Sequence, residues 1–305
     1  MTFTTRFAPS PTGPLHLGHA YSALLAHDMA LERAGTFHLR IDDLDQTRSR
    51  SHWEDQIRDD LNWLGLAWPE PCRRESDHMA DYDAALDHLW ALGLLYPCSC
   101  TRKDIREALS APQETPGPDG PVYPGICRKT FWHDEAHFEG RLPRPRNTTL
   151  RLNMAEALQH LNRSEYRINT PQGGERFVVF SETGAGPNQE TGEIAVPFSH
   201  IQNGIGDVVV ARRDAGAAYH LAVVIDDHAQ EITHVVRGMD LFAATTIHVI
   251  LQDLLGLPTP IYHHHRLIRD EHGKRLAKRD DARAIATYRA EGASPQYIRR
   301  MVGLA

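Results

Sequence analysis

The eleven-residue run PSPTGPLHLGH at positions 9–19 constrains this chain more than any other stretch. Its three prolines and two glycines cannot continue a regular element, because proline lacks an N–H and glycine is conformationally permissive. The partly apolar run at 3–8 before it reads as a strand. After it, Ala20, Leu24, Met29 and Leu31 recur at helical spacing over 18–34, and Gly35 can terminate the helix. Residues 36–41, TFHLRI, alternate and read as a second strand that ends in Asp42, Asp43, Leu44 and Asp45. Strand, loop, helix, strand is the opening of an α/β fold with a parallel sheet.

His16 and His19 within this loop are three apart with Gly18 between them. A zinc pair on a helix usually has i, i+4 spacing with further ligands nearby, and that pattern is missing. A strand handing over to a helix instead presents unpaired N–H groups and a positive dipole end, which suit a phosphate. Gly13 and Gly18 let a ligand approach the backbone, and the Walker pattern is absent. This segment alone supports a nucleotide site and a plain turn equally.

Downstream, Trp53, Ile57, Leu61 and Leu64 share one helix face with Gly65 as its stop, and Met79, Tyr82, Leu86 and Leu89 mark another helix. A proline- and glycine-rich loop covers 110–125. Strand-like runs resume at 177–180, 208–211 and 232–236, and a helix fills 241–255. The chain then reads as a strand, a tight turn at 270–273, a basic loop and a final helix. His263, His264 and His265 sit on that strand, where alternate side chains face opposite sides, so they are expected to be structural and not a metal clamp. The 305 residues hold no apolar run long enough to span a membrane and no secretory leader pattern, which points to the cytoplasm.

Three of the four cysteines cluster as Cys98, Cys100 and Cys127. In a reducing compartment this spacing favours a zinc site over free buried cysteines, and the residues alone suggest His133 or His137 as the fourth ligand. Cys72 stands apart as a packing residue. Net charge is −7, which argues against non-specific nucleic-acid binding, but residues 266–305 carry a local +5 against −12 for the rest. That tail suits either contact with a polyanion or a solvated helical surface. Within it, Lys274, Arg275, Lys278 and Arg279 put four cations into six residues, a density best matched by a highly charged ligand.

Taken together, these motifs resemble class I aminoacyl-tRNA synthetases. PLHLGH resembles their HIGH signature, and Arg275 to Arg279, RLAKR, resembles the KMSKS loop. The opening RFAPSPTG at 6–13, RIDDLD at 40–45 and VRGMDL at 236–241 resemble the glutamyl branch specifically. The resemblance implies a Rossmann-like parallel core over 1–96 and 193–245, an inserted small zinc-binding subdomain over 97–192, and the KMSKS-like loop with a short helical C-terminal tail over 246–305. It implies that His16, His19, Arg275 and Lys278 bind ATP, with His16, His19 and Lys278 stabilising adenylate formation, and that Mg²⁺ arrives with the ATP. It places L-glutamate among Arg6, Phe7, Ala8, Pro9, Ser10, Asp42, Tyr219 and Arg237; a guanidinium fork is the best carboxylate holder. It also implies Tyr123, with Cys98, Cys100 and Cys127, as the zinc ligands.

The sequence departs from the family pattern in three places. Arg275 replaces the first KMSKS lysine, Ala277 replaces the serine, and Asp42 stands where the family shows glutamate. The second lysine is kept as Lys278, so a tuned loop is expected and not loss of activity. Only 26 residues follow Arg279, which leaves no room for the large helical anticodon-binding domain of discriminating glutamyl-tRNA synthetases. A core of this extent resembles the tRNA-modifying members of the branch, which activate glutamate without tRNA and transfer it to the queuosine base of tRNA(Asp). The alternatives are a catalytically weak tRNA-binding accessory protein and conventional glutamylation of the tRNA 3′ end.

Overall fold

The computed structural model describes residues 2–109, 117–131, 143–161, 167–168, 174–269 and 283–304. In chain order the elements are β1 (Thr4–Phe7), α1 (Leu17–Glu32), β2 (Thr36–Ile41), α2 (Ser51–Trp63), β3 (Arg73–Arg74), α3 (Met79–Ala91), β4 (Leu95–Cys98), α4 (Arg102–Ala108), α5 (Ile126–Phe131), β5 (Thr149–Leu152) and α6 (Met154–His160). There follow β6 (Arg167–Ile168), β7 (Glu175–Glu182), β8 (Gly192–Pro197), α7 (Phe198–His200) leading into a π-turn over Ile201–Ile205, β9 (Val209–Ala211), α8 (Tyr219–Ala229), β10 (His234–Gly238), α9 (Thr245–Leu254), β11 (Ile261–His265), α10 (Ile285–Ala290) and α11 (Pro295–Val302).

The expected strand, loop, helix, strand opening is present, and β1 pairs parallel to β2 with Thr4 opposite Thr36. β2 continues parallel to β3. On the other flank of β1, Thr233 donates its N–H to the Thr4 carbonyl at 3.0 Å, which brings β10 alongside. β10 and β11 are parallel, and β11 meets β7 in parallel at Tyr262 and Glu182. The chain thus leaves β1 toward β2 and β3 on one side, and β10 and β11 extend the other side. A topological switch of this kind opens a crevice at the carboxyl ends of the strands. A separate antiparallel sheet joins β4, β5 and β9.

Two apolar clusters flank the parallel strands. One packs α1, α2 and α11 on β1 and β2 through Leu24, Leu39, Leu61 and Ile298. The other joins α3, α6, α8 and α9 to β4, β5, β7 and β10 through Leu86, Leu150, Val178 and Ile247.

Several local expectations shift by a few residues. α1 stops at Glu32, and Ala34, not Gly35, takes the left-handed conformation at φ 48°. Gly35 has a different duty, because a Cβ there would lie 2.1 Å from the Phe3 carbonyl oxygen. The strand expected at 232–236 runs over 234–238, and the helix expected at 241–255 opens with a 3-10 turn before α9. The expected insertion boundary at 192 falls in the β7–β8 hairpin, whose first strand lies beside β11.

The basic tail docks on the acidic body. Arg299 on α11 forms a fork with Asp28 on α1 at 2.7 and 2.9 Å, and Arg289 on α10 reaches Asp59 on α2 at 2.6 Å. Among the described residues, much of the tail's charge is therefore answered within the chain. No helix there is long and apolar enough to cross a membrane.

Candidate active site

A cavity of about 480 Å³ opens at the carboxyl ends of β1, β2, β10 and β11. Arg6, Phe7, Ala8 and Ser10 reach it from the end of β1 and the loop after it. His16 and His19 come from the start of α1, Asp42 from the end of β2, Tyr219 from α8 and Arg237 from β10. Pro9 lines an adjoining cavity of about 550 Å³ that shares Asp42, His19 and Tyr219 with the first. The structure thus brings together the predicted residues that it describes. Arg275 and Lys278 lie outside the described residues. Of the described residues that flank them in the chain, Arg266, Leu267 and Ile268 line the cavity and Ile285 donates its N–H to the Leu15 carbonyl at 2.8 Å.

The three-residue spacing of the histidines has a local cause. His16 is the N-cap of α1, its Nδ1 accepting from the Gly18 N–H at 3.1 Å, while its own N–H donates to His19 Nδ1 at 3.3 Å. This is a capping box built from histidines, and it requires i, i+3. The rings stack at 3.7 Å, and a Cβ on residue 18 would stand only 3.0 Å from His16 Cε1. With both Nδ1 atoms accepting, each neutral ring carries its proton on Nε2. A pair of N–H donors at a helix N-terminus suits phosphate oxygens.

Beneath the cavity lies a charge cluster that sequence reasoning missed apart from Arg6 and Asp42. Arg40 is fully buried and is held by Asp42 at 2.8 Å, Asp227 at 2.6 Å and Asp226 at 3.8 Å. Arg6 forms a fork with Asp227 at 2.9 and 3.2 Å, and Arg73 pairs with Asp226 at 2.7 Å. Burial opposes ionisation of Asp227, but Arg6 and Arg40 outweigh it and hold the carboxyl below its usual range. Burial wins at Asp42, which is raised despite Arg40. Two signals were available in the sequence. Arg40 and Asp42 are two apart along the end of β2, and Asp226 and Asp227 directly follow the apolar run 221–225 of α8.

Arg237 differs from Arg6. Its Nε donates to His264 Nε2 at 3.1 Å, one Nη1 hydrogen to His248 Nδ1 at 3.0 Å, and Nη2 to Thr245 Oγ1 at 2.8 Å and the Leu241 carbonyl at 3.2 Å. All four acceptors are neutral, and one of its five hydrogens is left over. Arg6 is already matched by a carboxylate, whereas Arg237 carries its positive charge to the cavity wall without one.

Glu75 lines the adjoining cavity and is buried. Its Oε2 accepts from the Leu44 N–H at 3.2 Å and its Oε1 has no hydrogen-bond partner. Burial, with Asp42 and Asp226 nearby, pushes its carboxyl up to about 9.

The histidine triplet behaves as expected of a strand. His263 meets Thr183 at 3.1 Å, His264 meets Glu182 at 2.5 Å, and His265 meets Ser22 at 2.7 Å, three separate partners. Cys72 donates to the Leu39 carbonyl at 3.2 Å and is a packing residue.

Away from the cavity, the sulfurs of Cys98, Cys100 and Cys127 lie within 4.8 Å of one another. Tyr123 Oη is 3.6 Å from Cys98 Sγ and 3.3 Å from Cys100 Sγ, and it accepts the Cys127 N–H at 2.8 Å. Cys100 and Cys127 sulfurs are 3.4 Å apart. A zinc tetrahedron with 2.3 Å bonds to sulfur has edges of about 3.8 Å, so three sulfurs within 4.8 Å of one another are grouped on the scale of such a cation's ligands. Arg151 packs against the cluster, its Nε donating to Cys98 Sγ at 3.3 Å and its guanidinium lying 3.9 Å over the Tyr123 ring. His133 and His137 lie outside the described residues.

The sequence family of class I tRNA synthetases (E and Q), catalytic domain, matches residues 2–305, and the chain belongs to that family. Within it, the chain is 54% identical to a glutamyl-Q tRNA(Asp) synthetase of Rhodobacter capsulatus over 98% of its own length and 99% of that protein's. It is 37% identical to a protein of the same name from Symbiobacterium thermophilum, over 96% of this chain and 83% of the other. Among solved structures, a glutamate tRNA ligase from Elizabethkingia meningosepticum shares the fold with a TM-score of 0.70 at 24% identity. That match covers 100% of this chain, which spans 61% of the ligase. A methionyl-tRNA synthetase from Mycobacterium tuberculosis shares it more distantly, at a TM-score of 0.54 and 13% identity over 99% of this chain and 64% of the other.

Proposed function

We propose that this chain is a ligase that activates L-glutamate with ATP in the absence of tRNA and transfers the glutamyl group to the queuosine base of tRNA(Asp). The observation that carries the reading is one cavity lined both by the stacked His16 and His19 and by Arg237, an arginine with only neutral partners. The names of relatives that match nearly the whole chain support the acceptor.

ATP phosphates lie against His16, His19 and the N-terminus of α1, with Arg275 and Lys278 supplied from the loop. Glutamate lies among Arg6, Phe7, Ala8, Pro9, Ser10, Asp42, Tyr219 and Arg237. Arg237 takes a carboxylate, because its charge has no direct carboxylate partner, and Asp42 faces the ammonium. A glutamate carboxylate oxygen bonds to the α-phosphorus while the bond to pyrophosphate breaks. Donors at His16, His19 and Lys278 stabilise the charge that moves onto the phosphates. When bound with ATP, Mg²⁺ would neutralise phosphate charge. A hydroxyl of the queuosine base then attacks the glutamyl carbonyl and AMP leaves. Cys98, Cys100, Tyr123 and Cys127 hold a structural zinc. The location that suits this reaction is the cytoplasm, where tRNA is found.

The test is transfer of labelled glutamate with ATP to total tRNA from cells able and unable to make queuosine. Label confined to queuosine-containing tRNA(Asp) supports the reading. Label on both pools at the 3′ terminus would replace it with conventional aminoacylation, and absence of pyrophosphate exchange would leave a binding protein.

A further inference from the structure

Beyond Arg237 the hydrogen bonds continue. His248 Nε2 meets His220 Nδ1 at 3.0 Å, and His220 Nε2 meets the Asp119 carboxylate at 3.0 and 3.1 Å. In the other direction His264 Nδ1 meets Glu182 Oε2 at 2.5 Å. The polarity of every link is fixed by Arg237, which can only donate. His264 Nε2 and His248 Nδ1 must therefore be bare acceptors. It follows that His264 donates from Nδ1 to Glu182 and His248 donates from Nε2 to His220. His220 must then accept at Nδ1 and donate from Nε2 to Asp119. Two chains of neutral histidines thus run outward from one guanidinium, each ending on a carboxylate. His220, His248 and His264 are buried, and burial together with Arg237 disfavours a charge on His248.

The outer end of the longer chain is held independently. Asp119 lies in a tight turn closed by the Gly120 N–H donating to the Gly117 carbonyl at 3.0 Å, with Gly120 at φ 102°. A Cβ on residue 117 would stand 2.8 Å from the Gly204 carbonyl oxygen, so the turn is seated on the π-turn. Its side chain is 56% exposed on the wall of a third cavity of about 620 Å³, which also carries Tyr123 of the cysteine cluster.

We infer that Asp119, His220 and His248 are positioning residues: their one-way hydrogen-bond chain holds the Arg237 guanidinium in the orientation that receives the amino-acid carboxylate. The inference rests on the assignment of Arg237 to glutamate. Without an acceptor at 119, His220 is free to carry its proton on Nδ1, which sets donor against donor at His248. His248 then loses its reason to keep Nδ1 bare, and Arg237 loses one of its four anchors. The turn that carries Asp119 thereby adjusts the amino-acid pocket from a neighbouring cavity that shares Tyr219 with it.

Glutamate-dependent ATP–pyrophosphate exchange and histidine ¹⁵N spectra of the full chain test this together. Asp119→Ala and His220→Phe should each raise KM for glutamate about tenfold, the scale of one hydrogen bond that positions a charged group, with KM for ATP unmoved and, in Asp119→Ala, Tm unmoved as well. Asp119→Asn keeps the acceptor and should stay within about threefold of wild type. The double variant should be no worse than either single one, because both cut the same chain. The ¹⁵N shifts should show the Nε2–H tautomer at His220 and His248, lost at His220 in Asp119→Ala. A glutamate KM unchanged in both single variants, or a rise in both KM values with a lower Tm, overturns the positioning role. Mixed tautomers at His248 in the wild type overturn the chain itself. A wild type without glutamate-dependent exchange would instead remove the proposed function, while the tautomers still decide the chain.

Discussion

Asp227→Ala is the perturbation that tests the charge cluster most directly. The Asp227 side chain is 7% exposed and accepts from Arg6 Nε at 2.9 Å, Arg6 Nη2 at 3.2 Å and Arg40 Nη1 at 2.6 Å. Its loss leaves two guanidiniums short of a counter-charge, one of them Arg40 with no exposure at all. Removing one partner of a buried pair costs about 3–5 kcal/mol, since the remaining charge stays buried. For a chain of this size each kcal/mol shifts Tm by roughly 2 °C, so a fall of about 6–10 °C is expected. The folded-state carboxyl is held below its unfolded value of about 3.9, so its contribution is present above that pH and is lost as pH falls through the folded value. The difference between wild type and variant should therefore be constant from pH 5 to 8 and shrink below about pH 4. Thermal and urea unfolding across that range measure it. A cost under about 1 kcal/mol, the size of a surface ion pair, would refute the reasoning.

Three further outcomes follow from the site. Cys98→Ser should purify with less zinc than wild type by elemental analysis and melt at lower temperature, and a wild type free of zinc would end the assignment of Cys98, Cys100, Tyr123 and Cys127. Lys278→Ala should cut glutamate-dependent pyrophosphate exchange by roughly 10²–10³-fold, the worth of one transition-state donor, and an unchanged rate would remove it from the mechanism. Glu75→Gln should gain stability relative to wild type as pH rises. The Glu75 carboxyl is raised to about 9, so its contribution is full below its unfolded value and declines up to the folded one. Melting curves at pH 5 and pH 8 that show no change in the gap would refute this.

The parts of the site that were legible in the sequence are those built from neighbours in the chain. The histidine pair follows from a capping box that joins residues three apart, and the Pro/Gly loop announces the handover from β1 to α1. Cys98, Cys100 and Cys127 fall within thirty residues of one another, so spacing suggested a shared centre, while Tyr123 was implied only by the family resemblance. Gly35 shows the limit of local reading even there. It looked like a helix stop, but its duty is set by Phe3, thirty-two positions away, whose carbonyl leaves no room for a side chain.

The rest was hidden because its partners are far apart in sequence and because charge must be balanced in the fold as a whole. Arg6 and Asp227 are separated by 221 positions, Arg40 and Asp227 by 187. Each looks unremarkable alone, since an arginine at a strand end and an acid in a helix are ordinarily solvated. Burial makes them interdependent: Arg40 is tolerable only with three acids around it, and those acids are tolerable only with Arg6, Arg40 and Arg73. That mutual neutralisation is what distinguishes Arg6 from Arg237, which the motifs had treated as equivalent carboxylate holders. Arg6 spends its charge on Asp227, whereas Arg237 is held by neutral histidines and keeps its charge for the cavity. An acid placed beside Arg237, as in His248→Glu, should therefore abolish glutamate activation while leaving the buried cluster around Arg40 intact. Retained glutamate-dependent exchange in that variant would show that the charge on Arg237 is not what the substrate uses.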